Sequence, residues 1–193
     1  RRSLYCSKYP NSPFSISRFD NVEGNIKYHK IKHTWDKTDK NGKCIFCGIG
    51  YNSALNDTKR EGMESHAYEF IHTLHPEEIF NMKFDVICAN PPYQLNVGIE
   101  KENYAIPIYQ KFVQQAKKLN PRFITMITPS RWFTGGRGLD DYREEMLNDD
   151  RLNKIVDFPD SKECFPGVDI SGGVSYFLWS RDYHGACQFS NIQ

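Results

Sequence analysis

The stretch that most limits what this chain can become is KFDVICANPPYQ, residues 83–94. Phe84 to Ala89 is an apolar run broken only by Asp85, and it stops abruptly at Asn90-Pro91-Pro92-Tyr93. A short apolar run bounded by breakers reads as a buried strand. The prolines then end its pairing, because an imino acid has no N–H to give a neighbouring strand. What remains at the strand's end is rich in acceptors: the Asn90 side-chain oxygen and the Pro91 carbonyl, with the Tyr93 ring beside them. Two rigid acceptors can take both hydrogens of a planar aromatic amine and draw its nitrogen toward a tetrahedral shape, while a phenol ring stacks on the ring that carries the amine. The plainer reading is a Pro-Pro turn that only terminates a strand.

Downstream, the chain alternates regularly. IPIYQKFVQQAKKLN places Ile108, Phe112, Val113, Ala116 and Leu119 on one helical face, and RFITMITPS follows as a second buried strand. LDDYREEMLNDD is an amphipathic helix with acidic residues early in it, then LNKIVDF and GVSYFLWSR are strands, read as an antiparallel edge. Strand and helix in alternation imply an α/β fold with an open, largely parallel sheet whose ligands sit at the carboxyl ends of the strands. Upstream the signals are weaker. Residues 1–43 are polar and rich in turn formers, NIKYHKIKHTW alternates like a strand, and EGMESHAYEFIHTL has helical spacing over 61–74. We therefore divide the chain into an N-terminal segment, 1–78, carrying a small insertion over 29–75, and a main α/β region, 79–193. A length of 193 residues suits one such domain with an appendage.

A formal charge of +1 gives no global field for nucleic acid, so any such binding needs a local basic patch. No run approaches the length of a membrane span, and RRSLYCSKYP lacks the apolar centre of a signal peptide, so a soluble, cytoplasmic protein is expected. Of the six cysteines, only Cys44 and Cys47 have a regular short spacing. Cys44-Ile45-Phe46-Cys47-Gly48 has the form of a zinc knuckle, two thiolates with a glycine permitting the turn. His33 and His66 are the chosen partners for a structural zinc ion, with His29, His72 and His75 as the remaining choices. A redox pair and two ordinary reduced cysteines are the alternatives. Cys6, Cys88, Cys164 and Cys187 are given no chemistry.

FDVICANPPYQ, IPIYQKFVQQAKKLNPRFITMITPSRWF and KECFPGVDISGGVSYFLW together resemble the adenine-specific amino-methyltransferases of type II restriction-modification systems, which carry NPPY. The likeness covers roughly residues 83–182 and extends upstream over HTW…CIFCG…ESHAYEFIH. It implies a class I, Rossmann-like methyltransferase sheet and transfer of a methyl group from S-adenosylmethionine to the 6-amino group of adenine in double-stranded DNA. It places Asn90, Pro91, Pro92 and Tyr93 in the catalytic motif, Asn90 and Pro91 on the amine and Tyr93 against a flipped base. Phe165 falls where these enzymes place a second aromatic, or is a core residue. Arg131 and Arg137, in TPSRWFTGGRG, contact phosphate or are solvated loop residues. Glutamine methyltransferases acting on proteins and some RNA methyltransferases share NPPY, and a non-catalytic DNA-binding piece is a third reading.

The pattern departs from the family in one respect. Neither the acidic strand end with its Gly-x-Gly loop nor the second acidic residue that together hold the cofactor is present. Gly48-Ile49-Gly50 has no acidic residue before it and shares its residues with the knuckle. RRSLYCSKYP resembles the end of the helix that follows the ribose-binding residue. The resemblance thus implies an incomplete sheet: an internal piece of a longer restriction-modification polypeptide, inactive alone, with most of its cofactor site outside.

Overall fold

The computed structural model describes residues 31–36, 38, 42–51, 66–79, 82–96 and 105–192. Most of the strand expected in NIKYHKIKHTW, the start of the helix expected over 61–74, and His29 lie outside them. The strands are β1 (Val86–Ala89), β2 (Gln94–Asn96), β3 (Ala105–Pro107), β4 (Phe123–Pro129), β5 (Leu152–Phe158), β6 (Val174–Ser180) and β7 (Gln188–Asn191). Among the described residues the helices are α1 (His66–Ile71), α2 (Tyr109–Lys118) and α3 (Asp140–Asn148). None is long and apolar enough to cross a membrane.

Five strands form one sheet in the order β1-β4-β6-β5-β7, and β2 pairs with β3 in a separate antiparallel hairpin. β1 runs parallel to β4 and β5 parallel to β7, whereas β6 is antiparallel to both of its neighbours. The expected antiparallel pairing of the last two predicted strands is therefore present, but not as an edge: β6 lies inside the sheet, between β4 and β5. The pairing along β4 is continuous from Phe123 opposite Ser180 to Pro129 opposite Val174. Such a long unbroken ladder favours that interior place. β7, a polar strand absent from the sequence reading, takes the edge instead. The mixed α/β sheet agrees with the expected class in outline.

Two apolar clusters organise the molecule. The larger joins Val113 and Ala116 of α2, Tyr142 and Met146 of α3, and Ile124, Met126, Ile155, Phe177 and Trp179 of the sheet. Burying one such large side chain contributes roughly 1.5–3 kcal/mol. Asp149, after α3, ties the periphery of this core together. Its carboxylate accepts from Lys117 Nζ at 2.9 Å, Arg151 Nε at 2.7 Å and Trp179 Nε1 at 2.9 Å.

The smaller cluster joins Cys44, Cys47 and Ile49 to Tyr68 and Ile71 of α1, Leu95 of β2, and Ile108 and Phe112 at the start of α2. The described part of α1 is short, and tertiary contacts support it. Gln115 reaches across from α2 and donates to the carbonyls of Phe70 at 2.7 Å and Thr73 at 2.8 Å, satisfying acceptors that the helix end leaves open. α2 consequently belongs to both cores.

Candidate active site

β1 ends at Ala89, and the acceptor-rich turn follows directly, with Asn90 exposed and Pro91 buried. The Tyr93 carbonyl accepts from Ile108 N at 3.1 Å, and Gln94 then pairs opposite Pro107. The turn is thus fixed at both ends, to β4 through β1 and to the start of α2 through the hairpin.

Beside it opens a cavity of about 810 Å³. One wall is Asn90, Pro91, Pro92 and Tyr93; the hairpin adds Gln94, Ala105 and Pro107, and α2 adds Tyr109. The opposite side comes from the ends of β4 and the loop before β6: Pro129, Arg131, Arg137, Asp169, Ile170 and Ser171. Its volume lies within the range of small-molecule and nucleotide sites. The carboxyl ends of β1 and β4, which run in the same direction, both open onto it.

Each wall has an identifiable cause. Arg131 sits in the 3-10 turn Ser130–Phe133, anchored where the buried Ser130 hydroxyl donates to the Asp157 carboxylate at 2.5 Å. Arg137 lies in a glycine-rich loop with φ of 53°. That loop is tied to α3, because Gly136 N donates to Asp140 Oδ1 at 2.8 Å and Arg143 Nε to the Phe133 carbonyl at 2.7 Å. The third segment turns on Gly173, at φ 75°, where a side-chain carbon would lie 2.8 Å from Pro159 Cα. Only glycine lets the chain pass so close to the end of β5 and still present Ile170 and Ser171 to the cavity.

Tyr93 packs edge-on against Tyr109, ring centroids 6.5 Å apart, and Tyr109 against Tyr142 at 6.1 Å. Burial, and then the nearby Cys164 thiol, push the Tyr93 phenol up to about 12. Burial also raises Tyr109 and Tyr142 above the usual phenol range. All three phenols therefore stay neutral at ordinary pH. The Tyr93 hydroxyl is buried without a hydrogen-bond partner among the described residues.

Asn90, Pro91, Pro92, Tyr93, Arg131 and Arg137 are thus brought together around one cavity. Phe165 is not among the residues that line it. Its backbone N–H donates to Ser161 O at 2.8 Å and its carbonyl accepts from Val168 N at 2.9 Å, which keeps Phe165 within a tight turn. Asp169, Ile170 and Ser171, later in the same loop, reach the cavity in its place. Sequence reasoning missed Tyr109, which begins α2 and reads as one more apolar face position.

Gly48-Ile49-Gly50 is no cofactor loop. Ile49 is fully buried, Gly48 N donates to Cys44 O at 2.8 Å, and Gly50 bridges to Lys43. Among the described residues no strand ends in an acidic residue followed by a glycine-rich turn. The residues described here do not fit S-adenosylmethionine as its holders.

A second group of chemistry-bearing side chains lies behind the hairpin. His33, Cys44, Cys47 and His72 bring one ligand atom each to within 4.8 Å of one another. The Cys47 thiol and His33 Nδ1 are 3.6 Å apart. Interaction with Cys47, opposed by burial and aided by His33 and His72, holds the Cys44 thiol far below its ordinary range. Lys111 on α2 feels the charge of both thiols, though burial lowers its ammonium overall. His72, one of the remaining choices, is the fourth member, and the side chain of His66 lies outside the described residues. His75 instead faces Glu77 at 3.1 Å.

A strand-end NPPY turn thus opens on a cavity in a mixed α/β sheet. The chain belongs to the Eco57I restriction-modification methylase family, whose model matches residues 1–165. It is 37% identical over 179 residues to an uncharacterized adenine-specific methylase of Mycoplasma pneumoniae, an alignment that covers 88% of this chain and 42% of that protein. The chain thus spans well under half the length of that relative. Among solved structures, a chain of a type I restriction-modification complex aligns over 58% of this chain and 24% of its own, with 19% identity and a TM-score of 0.44. A chain of the DrdV–DNA complex aligns over 55% and 14%, with 18% identity and a TM-score of 0.40.

Proposed function

We propose that the protein containing this chain methylates the exocyclic 6-amino group of adenine in double-stranded DNA as part of a restriction-modification system, and that these residues form the target-base half of its site. The observation that carries this reading is the seating of Asn90 to Tyr93 at the carboxyl end of β1, on the wall of a cavity large enough for a base. Family membership and the adenine-specific relative support the choice of amine. S-adenosylmethionine, bound by residues outside those described, supplies an electrophilic methyl group.

The part played by this chain follows from its own groups. The Asn90 side-chain oxygen and the Pro91 carbonyl accept the two amine hydrogens, which draws the nitrogen lone pair out of conjugation with the ring. Tyr93 stacks on the base. Extruding a base from a duplex costs a few kcal/mol, and aromatic stacking of about 1–3 kcal/mol offsets much of that. A phenol held near 12 stays protonated and takes no part as a base. Arg131 and Arg137, which line the cavity, contact the phosphates beside the extruded nucleotide.

The test is methyl transfer by the full-length protein to DNA, RNA and protein substrates, with Asn90→Ala compared to wild type. An acceptor used mainly in the transition state predicts a fall in turnover on the order of 100-fold or more with DNA affinity unchanged. Transfer to RNA or to protein amides but not to DNA would replace this substrate. DNA binding with no transfer to any acceptor would reduce the chain to a non-catalytic module.

A further inference from the structure

We propose that His33, Cys44, Cys47 and His72 bind one zinc ion, and that this ion fixes the β2–β3 wall of the cavity from behind. The inference stands on the side-chain cluster, independently of the methylation reading.

Tetrahedral zinc, with bonds of about 2.3 Å to sulfur and 2.0–2.1 Å to nitrogen, requires neighbouring ligand atoms roughly 3.4–3.8 Å apart. The Cys47–His33 separation of 3.6 Å already has that value, and no pair in the cluster exceeds 4.8 Å. Closing the set around an ion therefore needs shifts of about 1 Å at most. Two thiolates and two neutral imidazoles offset the charge of a divalent ion, so the loaded site is electrically neutral inside an apolar cluster. Their mixed sulfur and nitrogen donors select zinc over the hard, oxygen-seeking cations.

His72 supplies a separate indication. Its Nδ1 lies 2.6 Å from the Tyr68 carbonyl, one turn back along α1. A carbonyl only accepts, so Nδ1 carries the proton and Nε2 is left with an open lone pair. That Nε2 is buried with no hydrogen-bond partner among the described residues. An imidazole oriented through one nitrogen by a backbone carbonyl, with its other nitrogen buried beside the cysteine pair, is the arrangement of a metal ligand. A disulfide between the two cysteines would leave this nitrogen unsatisfied, and an ion satisfies it.

The knuckle is a small object held by few bonds. Cys44 N donates to Ile49 O and Ile45 N to Thr34 O, and Trp35 bridges to Cys44. Its apolar residues pack outward, against Leu95, Ile108 and Phe112. Gly48, at φ 77°, lies beneath Ile106 of β3, where a side-chain carbon would be 3.7 Å from Ile106 Cδ1. The other sides of that hairpin line the cavity through Gln94, Ala105 and Pro107. A cross-link that ties 33 and 44–47 to 72 thus stiffens the support of the wall.

Metal analysis of the protein purified without added zinc should give about one zinc per chain. Cobalt substitution should give the intense d–d bands of a tetrahedral site together with thiolate-to-cobalt charge transfer. His72→Ala should lose most of the metal, and His66→Ala should keep it. In the wild-type protein, chelation should speed amide hydrogen exchange in 94–96 and 105–106 while leaving β4 and β6 protected. Folded wild-type protein with no zinc and no cobalt uptake would overturn the site, whether or not any variant folds. Loss of metal in His66→Ala with retention in His72→Ala would overturn this ligand set. Metal release without faster exchange in the hairpin would overturn the role given to the ion.

Discussion

Tyr93 shows how much one side chain's chemistry depends on its setting. Its hydroxyl is buried without a partner among the described residues, and burial pushes its phenol up, so the oxygen adds no described hydrogen bond to the fold. Tyr93→Phe should leave stability unchanged or raise it by up to about 1 kcal/mol in denaturant unfolding, because it removes a polar group that has lost its water. Methyl transfer should stay near normal. Tyr93→Ala should lose about 1–3 kcal/mol of base stacking, seen as weaker DNA binding that recovers when the target is mismatched and easier to extrude. A Tyr93→Phe protein that folds but transfers no methyl groups would mean that the hydroxyl, and not the ring, acts. At this scale the sequence was informative where the residue's neighbours are its chain neighbours, as in Asn90-Pro91-Pro92-Tyr93. It left His72 among the remaining choices, because the Tyr68 carbonyl that orients its ring is a contact that spacing does not reveal.

The loop between the 3-10 turn Ser161–Glu163 and β6 depends on glycine in two distinguishable ways. Gly173 combines a left-handed φ with a close approach to Pro159, whereas Gly167 has φ 81° and open space around it. Gly167→Ala should therefore carry conformational strain alone, about 1 kcal/mol, and Gly173→Ala should cost clearly more, on the order of 3 kcal/mol, by thermal or denaturant unfolding. Equal costs would show that the loop yields without resistance. The same comparison explains what the sequence conveyed about elements. β4, β5, β6 and α2 were visible because each is a run whose periodicity fits its burial. The insertion of β6 between β4 and β5 was not, since periodicity describes which face of a strand is buried and says nothing of its neighbour. β7 escaped because Gln188–Asn191 is mostly exposed and polar, held by pairing to β5 and not by an apolar face.

Across the whole molecule, Asp149 is where the helices and the sheet share a charge. Burial alone would raise its carboxyl, but Arg151, Lys117 and Trp179 hold it far below the ordinary carboxylate range. A depressed value means stability that is present above the unfolded value, about 3.9, and lost as pH falls toward the folded one. Asp149→Asn should cost on the order of 3 kcal/mol near neutrality, and its deficit against wild type should shrink below about pH 4. Unfolding midpoints across that range measure both. A deficit independent of pH would assign the loss to packing. The two cores have a further consequence for the cavity. Its arginine side is carried by the sheet core, to which Tyr93 and Tyr109 also belong, and its hairpin side by the knuckle core. The aperture is therefore bounded by two cores that meet along α2. Tightening either core alone leaves its width unspecified, and substitutions along α2, which both cores share, are the ones that set how far the jaws stand apart.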